Sequence, residues 1–303
     1  MYYLVYGSLY LLSLLPMWML YGLSDFVKWL LFTVFGYRRK VIMGNLEKAF
    51  PEKTEQERND IRKRFERNFT DTFIETVKYF SASESYLRKH LQGNFELFNE
   101  LYERGLSCQV HTGHNFNWEL LNLSYGVNNK DLPLLGVYMP LHNRVMDRIF
   151  RKLRSKTGTI LLPATDMRNA MLPYRNKQYL LGLIADQVPG KMHTAWWLYF
   201  FGIPTPFAPG PEKGARAGNI PVVFIHNTRV KRGYYRMNAT LVTETPNALE
   251  PGELTRIYRD FLEKVMRQNP DMWLWSHRRW KHAWNSSYAD QWIDTAPVPE
   301  TVP

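Results

Sequence analysis

The sequence predicts an α/β protein, a mixed central sheet flanked by helices, with an amino-terminal membrane-associated helical segment. Three observations carry that reading. Short runs of strand length, residues 107–110, 182–185 and 220–225, read as strands and alternate with longer segments of helical period. Residues 1–23 contain no charged side chain. Of the 303 residues, 45% are hydrophobic, enough for a large buried core and too many for a disordered chain.

The amino terminus comes first. About 20 helical residues span a bilayer core, and the uncharged opening reaches that length. A second apolar run, residues 29–37, follows a break at Ser24, Asp25 and Lys28, and leads into Arg38, Arg39 and Lys40. There is no basic leader and no small-residue cleavage site, which argues against a cleaved signal peptide. Three forms stay open: a single span, an interfacial hairpin dipping into one leaflet, and a core helix. The first two put the chain on a membrane, as does the 15% content of Phe, Trp and Tyr. The basic triplet then predicts that the body stays on the cytoplasmic side.

In the body, Thr54 and Glu57 have the spacing of a capping box. A helix is expected from there towards Tyr79, with Phe65, Phe69 and Phe73 recurring every four residues. The strand at 107–110 leads into His111, Thr112, Gly113 and His114. Asn117 is placed to cap a helix that begins Trp118-Glu119. Residues 144–154 read as a helix, and the strand at 182–185 ends at Asp186. Tyr235, Met237, Ala239 and Leu241 alternate with polar residues, the period of a strand. Residues 253–268 form the clearest helix, with Leu254, Ile257, Tyr258, Phe261, Leu262, Val265 and Met266 on one face and Pro270 beyond its end. Residues 1–37 thus read as an anchoring or interfacial segment, 38–284 as one catalytic domain, and 285–303 as a mobile tail.

Charge and cysteine content exclude some classes. Lys and Arg number 39 against 28 Asp and Glu, a formal +11 that favours an anionic partner. Cys108 is the only cysteine, so neither an intramolecular disulfide nor a Cys-rich zinc site is available. A basic nucleic-acid-binding protein would share the charge. No zinc-finger spacing, RNP-like block or helix-turn-helix cue accompanies it, and that reading leaves the uncharged opening unexplained.

The segment from His111 to Glu119 carries the chemistry. An imidazole of near-neutral pKa can take a proton from a hydroxyl, and a nearby carboxylate can fix its tautomer and stabilise the imidazolium. His114 and Glu119, across a loop that turns into a helix, fit those roles, with the helix dipole favouring ionised Glu119. Two other readings remain at this point. The histidines can be structural, or His111, His114 and Glu119 can hold a metal, although the His-Glu-x-x-His spacing is absent.

Several blocks in order resemble the bacterial lipid A biosynthesis (late) acyltransferase family. They are Arg38-Arg39-Lys40 with Asn45-Leu46 and Ala49-Phe50-Pro51; His114 to Glu119; Tyr138, Pro140, Asn143 and Asp147 continuing to Arg154-Ser155-Lys156; Asp186-Gln187 with Phe200-Phe201-Gly202; and Asn269-Pro270 to Lys281. Together they cover roughly residues 35–282. Phe116 stands where the family often has Gly, and Met139 where it often has Arg. The resemblance implies a glycerolipid-acyltransferase-like fold and transfer of a fatty acyl chain to a hydroxyl of a lipid A precursor or related glycolipid. The donor it implies is acyl carrier protein more than acyl-CoA, with no cofactor, no metal, no nucleic acid and no covalent acyl-enzyme.

By matching position, His114 is the general base and Glu119 its partner. Arg154 is a candidate to stabilise the thioester oxyanion or a phosphate through its donor fork, with Asp186 positioning it. Asn117, Trp118, Arg151, Phe200, Phe201 and Arg278 are the candidate substrate contacts. The basic run Arg144, Arg148, Arg151, Lys152, Arg154 and Lys156 offers a field for acidic carrier protein or an anionic membrane lipid acceptor. Within the same class, a phospholipid, an amino-acid lipid or a mannosylated lipid remains an alternative acceptor, and a non-catalytic lipid-binding scaffold is a further alternative.

Overall fold

Three helices open the chain in the computed structural model, which describes residues 1–129 and 131–298. They are α1 (Tyr2–Ser13), α2 (Met17–Lys28), which runs on as a π-helical stretch Trp29–Val34, and α3 (Arg39–Ala49). Pro16 is the N-cap of α2, a position where its missing N–H does no harm. The axes of α1 and of the helix from Met17 to Val34 meet at 116°. No single described helix is long and apolar enough to cross a membrane, and only this bent pair passes by length and composition. Leu4, Leu11, Trp18, Phe26 and Phe35 along it are exposed.

The capping box forms as its spacing predicts. Thr54 Oγ1 accepts from the Glu57 N–H, and the Glu57 carboxylate accepts from the Thr54 N–H at 2.7 Å, starting α4 (Glu55–Lys78). Phe65 and Phe69 pack inward, while Phe73 is exposed. Two acids on α4, Asp71 and Glu75, are buried and gather distant elements. Glu75 accepts from Tyr21 on α2 at 3.0 Å, from Asn117 at 3.0 Å and from Tyr235 at 2.8 Å. Asp71 accepts from Ser24 at 2.7 Å and pairs with Arg229 and Arg232. Burial raises the Glu75 carboxyl above the usual range, against the three donors.

The core is a seven-stranded mixed sheet. Its elements follow as α5 (Glu84–His90), β1 (Leu91–Gly93), α6 (Glu96–Glu103), β2 (Cys108–Thr112), α7 (Trp118–Asn128), β3 (Leu134–Tyr138), α8 (Arg144–Arg154), β4 (Ile160–Pro163), α9 (Met167–Ala170) and β5 (Leu180–Ile184). Then come β6 (Trp196–Phe200), β7 (Ile203–Phe207), α10 (Gly210–Gly218), β8 (Val222–Lys231), β9 (Tyr234–Thr243) and α11 (Glu253–Gln268). The order is β1-β9-β8-β2-β5-β3-β4, parallel throughout except for the β8–β9 hairpin. Helices between successive parallel strands fit crossover connections. Every residue of β2 is buried, Gln109, His111 and Thr112 included, as befits a parallel strand covered on both faces.

The β6–β7 ribbon stands apart from the sheet. Its two-residue turn, Phe201-Gly202, takes left-handed conformations at both positions, φ +54° and +70°, as a hairpin of matching twist requires. The segment expected to be a mobile tail from residue 285 is instead packed as far as Asp294. Tyr288 stacks on Trp197 at 4.9 Å, and Asp294 accepts from Arg259 at 2.9 Å and from the Tyr199 N–H at 2.7 Å. The prolines of the segment, at 297, 299 and 303, come after this stretch, which aromatic stacking and a charge-assisted pair hold. Residues 299–303 of that segment lie outside the described residues.

Candidate active site

Adjacent parallel strands bring the site together. In the β2–β5 pairing Thr112 sits opposite Ile184, so His114 and Asp186 each follow two residues beyond the same sheet edge. Ligand sites of open α/β sheets lie at that carboxyl edge. His114 Nδ1 lies 2.6 Å from Asp186 Oδ1. Asp186 Oδ2 accepts from the His114 backbone N–H at 2.7 Å and from the Trp273 indole N–H at 2.6 Å. Asp186 is 1% exposed and the His114 side chain 20%, so the carboxylate is sealed and the imidazole reaches solvent. Burial opposes ionisation of Asp186, but the His114 charge and the donors from His114 and Trp273 hold it below the ordinary carboxylate value. Gly113 permits the approach, since a methyl group there would stand 3.0 Å from Asp186 Oδ2.

In the neutral ring with Nδ1–H donated to Asp186, Nε2 carries the lone pair. The Gln187 amide lies 3.1 Å from it. Trp118 meets the imidazole edge-on at 5.5 Å. The Asn115 amide is buried beside this centre with no hydrogen-bond partner among the described residues.

The expected pairing of His114 with Glu119, and of Arg154 with Asp186, is exchanged. Glu119 takes Arg154, with Nε 3.0 Å from both carboxylate oxygens and Nη2 2.5 Å from Oε1. No hydrogen bond or ion pair joins Glu119 to His114 among the described residues. The reason is the helix. Asn117 caps α7 by accepting from the Leu120 N–H, so Glu119 falls in its first turn, against the end of α8 where Arg154 lies.

The candidate substrate contacts divide. Trp118 borders His114, and Arg151 and Arg278 are exposed. Asn117 is fully buried, donating to Glu75 and to Tyr79 Oη. Phe200 and Phe201 are 1% and 7% exposed and pack on Trp280, Phe207 and Phe50. All three are engaged within the fold, Asn117 by hydrogen bonds and the two phenylalanines by ring contacts. The basic run is also partly committed. Arg148 and Lys152 lie over the rings of Tyr2 and Tyr6 at 3.9 and 4.1 Å, and Lys156 donates to three carbonyls at the end of α4. His111 stays within β2, fully buried, and burial pushes its imidazole down to about 3. No group of three His, Cys, Asp or Glu side chains able to hold a metal occurs among the described residues.

The comparisons with known proteins decide the family. Residues 1–282 match the model of the bacterial lipid A biosynthesis acyltransferases. The chain belongs to this family. It is therefore an acyltransferase that acts on acceptors of the lipid A type. No curated protein matched the chain.

Three residues that touch the candidate site or steady its strand were not assigned from sequence. Trp273 comes from the loop after α11, and its place between Met272 and Leu274 gave no sign that its indole would reach Asp186. Gln187 directly follows Asp186, and strand pairing alone decides that it faces His114. Tyr258 lies on the apolar stripe of α11, yet its hydroxyl donates to the Thr112 carbonyl at 2.7 Å and steadies the end of β2.

Proposed function

We propose that the acyltransferase moves a fatty acyl chain from an acyl thioester, borne by acyl carrier protein, to a hydroxyl of a lipid A precursor. His114 is the general base and Asp186 its partner. The observation that carries this is the His114–Asp186 contact, a sealed carboxylate on Nδ1 of a partly exposed imidazole.

In this mechanism the acceptor hydroxyl displaces the Gln187 amide at Nε2. His114 takes the hydroxyl proton as the oxygen attacks the thioester carbonyl, and Asp186 stabilises the imidazolium. Collapse of the tetrahedral intermediate forms the ester, breaks the C–S bond and passes the proton to the leaving thiolate. Arg154, oriented by Glu119, offers a fixed cation to the oxyanion or to a substrate phosphate. No protein nucleophile is needed. Cys108 is buried and its thiol is pushed up to about 12, which removes it as one. The bent amino-terminal pair, with its outward Leu, Trp and Phe side chains, supports an interfacial seat on the cytoplasmic face of the inner membrane.

Purified enzyme given acyl carrier protein thioester and lipid A precursor tests this. His114→Ala is expected to lose about 10²–10⁴-fold in turnover while keeping its melting temperature. Turnover within a few-fold of wild type would remove His114 from the chemistry.

A further inference from the structure

An open cavity of about 630 Å³ lies away from His114, between the amino-terminal helices, α4 and the β8–β9 hairpin. Its size falls in the range of about 300–1,000 Å³ typical of small-ligand sites. Seven cations and two carboxylates line it. Arg229 and Arg232 are held in place from behind, each by fully buried Asp71 at 2.7 Å. Arg62 is tied to Glu66. Lys28, Arg64 and Arg67 form no ion pair among the described residues, and Arg64 and Arg67 are exposed on α4. The cavity thus combines two oriented guanidinium groups with three uncommitted charges, a donor set suited to phosphate oxygens.

The rim says where the phosphate comes from. Lys28 and Thr33 belong to the helix whose outward residues Phe26, Trp29, Val34 and Phe35 are 51–71% exposed. An acidic protein seated on the cations would leave this apolar edge in water. A bilayer would cover it, placing lipid headgroups at the level of Lys28.

We propose that this cavity binds the phosphate of an anionic phospholipid headgroup from the surrounding bilayer. It is a second lipid site, which seats the body on the membrane and takes no part in acyl transfer. It shares no side chain with the His114 centre, so vesicle binding reads it independently of the catalytic proposal.

The test is co-sedimentation of the full chain with phosphatidylglycerol–phosphatidylcholine vesicles and with pure phosphatidylcholine vesicles. The triple variant Lys28→Gln, Arg64→Gln, Arg67→Gln is expected to lose about 100-fold in partition to the anionic vesicles, roughly fivefold per cation, and little to the neutral ones. A control that removes three exposed cations elsewhere, Lys48→Gln, Lys89→Gln, Arg168→Gln, is expected to lose less than a tenth of that. Trp29→Ala is expected to weaken both vesicle types alike. Arg64→Lys with Arg67→Lys is expected to restore most of the anionic preference. Circular dichroism and melting verify that each variant is folded. Equal losses in the triple variant and the control would overturn the site. So would unchanged vesicle binding with a raised KM for acyl carrier protein, which would assign the cavity to the donor, or a raised KM for the acceptor alone, which would assign it to the acceptor's phosphate.

Discussion

Asp186 holds His114 at two points, through Oδ1 to the ring Nδ1 at 2.6 Å and through Oδ2 to the backbone N–H at 2.7 Å. The ring and the chain that bears it are fixed together. In the proposed mechanism, a base so held loses little further freedom when the acceptor arrives.

Removing the charge of Asp186 tests that partnership. Asp186→Asn is expected to lower kcat by about 10³–10⁴-fold, as expected when an orienting carboxylate is lost from such a pair. Glu119 pairs with Arg154 and is proposed to act through it, so the cycle of Glu119→Gln with Arg154→Ala is expected to be strongly non-additive. The cycle of Glu119→Gln with Asp186→Asn is expected to be close to additive. Turnover of the single and double variants measures both, and strong coupling between Glu119 and Asp186 would place Glu119 with His114 after all.

Trp273 supplies one of the donors that keep Asp186 ionised despite burial. Trp273→Phe removes that donor and keeps most of the packing. The Asp186 carboxyl is then expected to rise towards its ordinary value, carrying the acid limb of the kcat/KM profile to higher pH. A loss of about tenfold in kcat goes with it, the worth of one hydrogen bond to a charged group. A pH–rate profile unchanged in shape, with only stability reduced, would make Trp273 a packing residue.

Acid stability has a separate origin in His111. Burial depresses its imidazole to about 3 in the folded chain, against about 6.5 when unfolded. The unfolded state therefore binds the extra proton first. This contribution to stability is whole above about pH 6.5, is lost as pH falls towards 3, and amounts to several kcal/mol. His277, pushed down to about 4, adds in the same direction. Urea unfolding from pH 7 to pH 4 is expected to show stability falling with pH, and His111→Gln is expected to flatten that slope while the share of His277 persists. A slope equal to wild type in the variant would exclude His111 as the source.

Phe200 gives a prediction about what does not change. Its ring is sealed among Phe201, Phe207 and Trp280. Phe200→Ala is expected to destabilise the chain by about 3–5 kcal/mol. The acyl chain length of the product, measured by mass spectrometry, is expected to stay as in wild type. A shifted chain length in a well-folded variant would put Phe200 in the acyl groove.

Local signals made much of the architecture legible. Thr54 and Glu57 announced α4, the apolar stripe from Leu254 to Met266 announced α11, and the alternation from Tyr235 to Leu241 announced β9. His114 and Asp186 were both visible as polar residues just past buried strands. Their meeting was not, because it depends on β5 lying beside β2, and the pairing joins residues 72 apart. Glu119 was mis-partnered for a related reason. Five positions of sequence separation imply proximity, but the first turn of α7 carries that side chain round to α8. Aromatic richness at Phe200-Phe201 likewise gave no sign of whether the rings meet lipid or each other.

Glu75 draws hydroxyls from α2 and β9 and the amide of Asn117, the residue that starts the helix after His114, onto a single carboxylate. Cutting away the leading helices would strip that acid of Tyr21 and expose its neighbour Asp71, which also holds Ser24. A shortened, detergent-free version of this enzyme made by amino-terminal deletion would therefore begin life with a damaged interior. On the proposed membrane seat, a soluble version is instead expected from repainting the outer surface of those helices, leaving Tyr21 and Ser24 untouched.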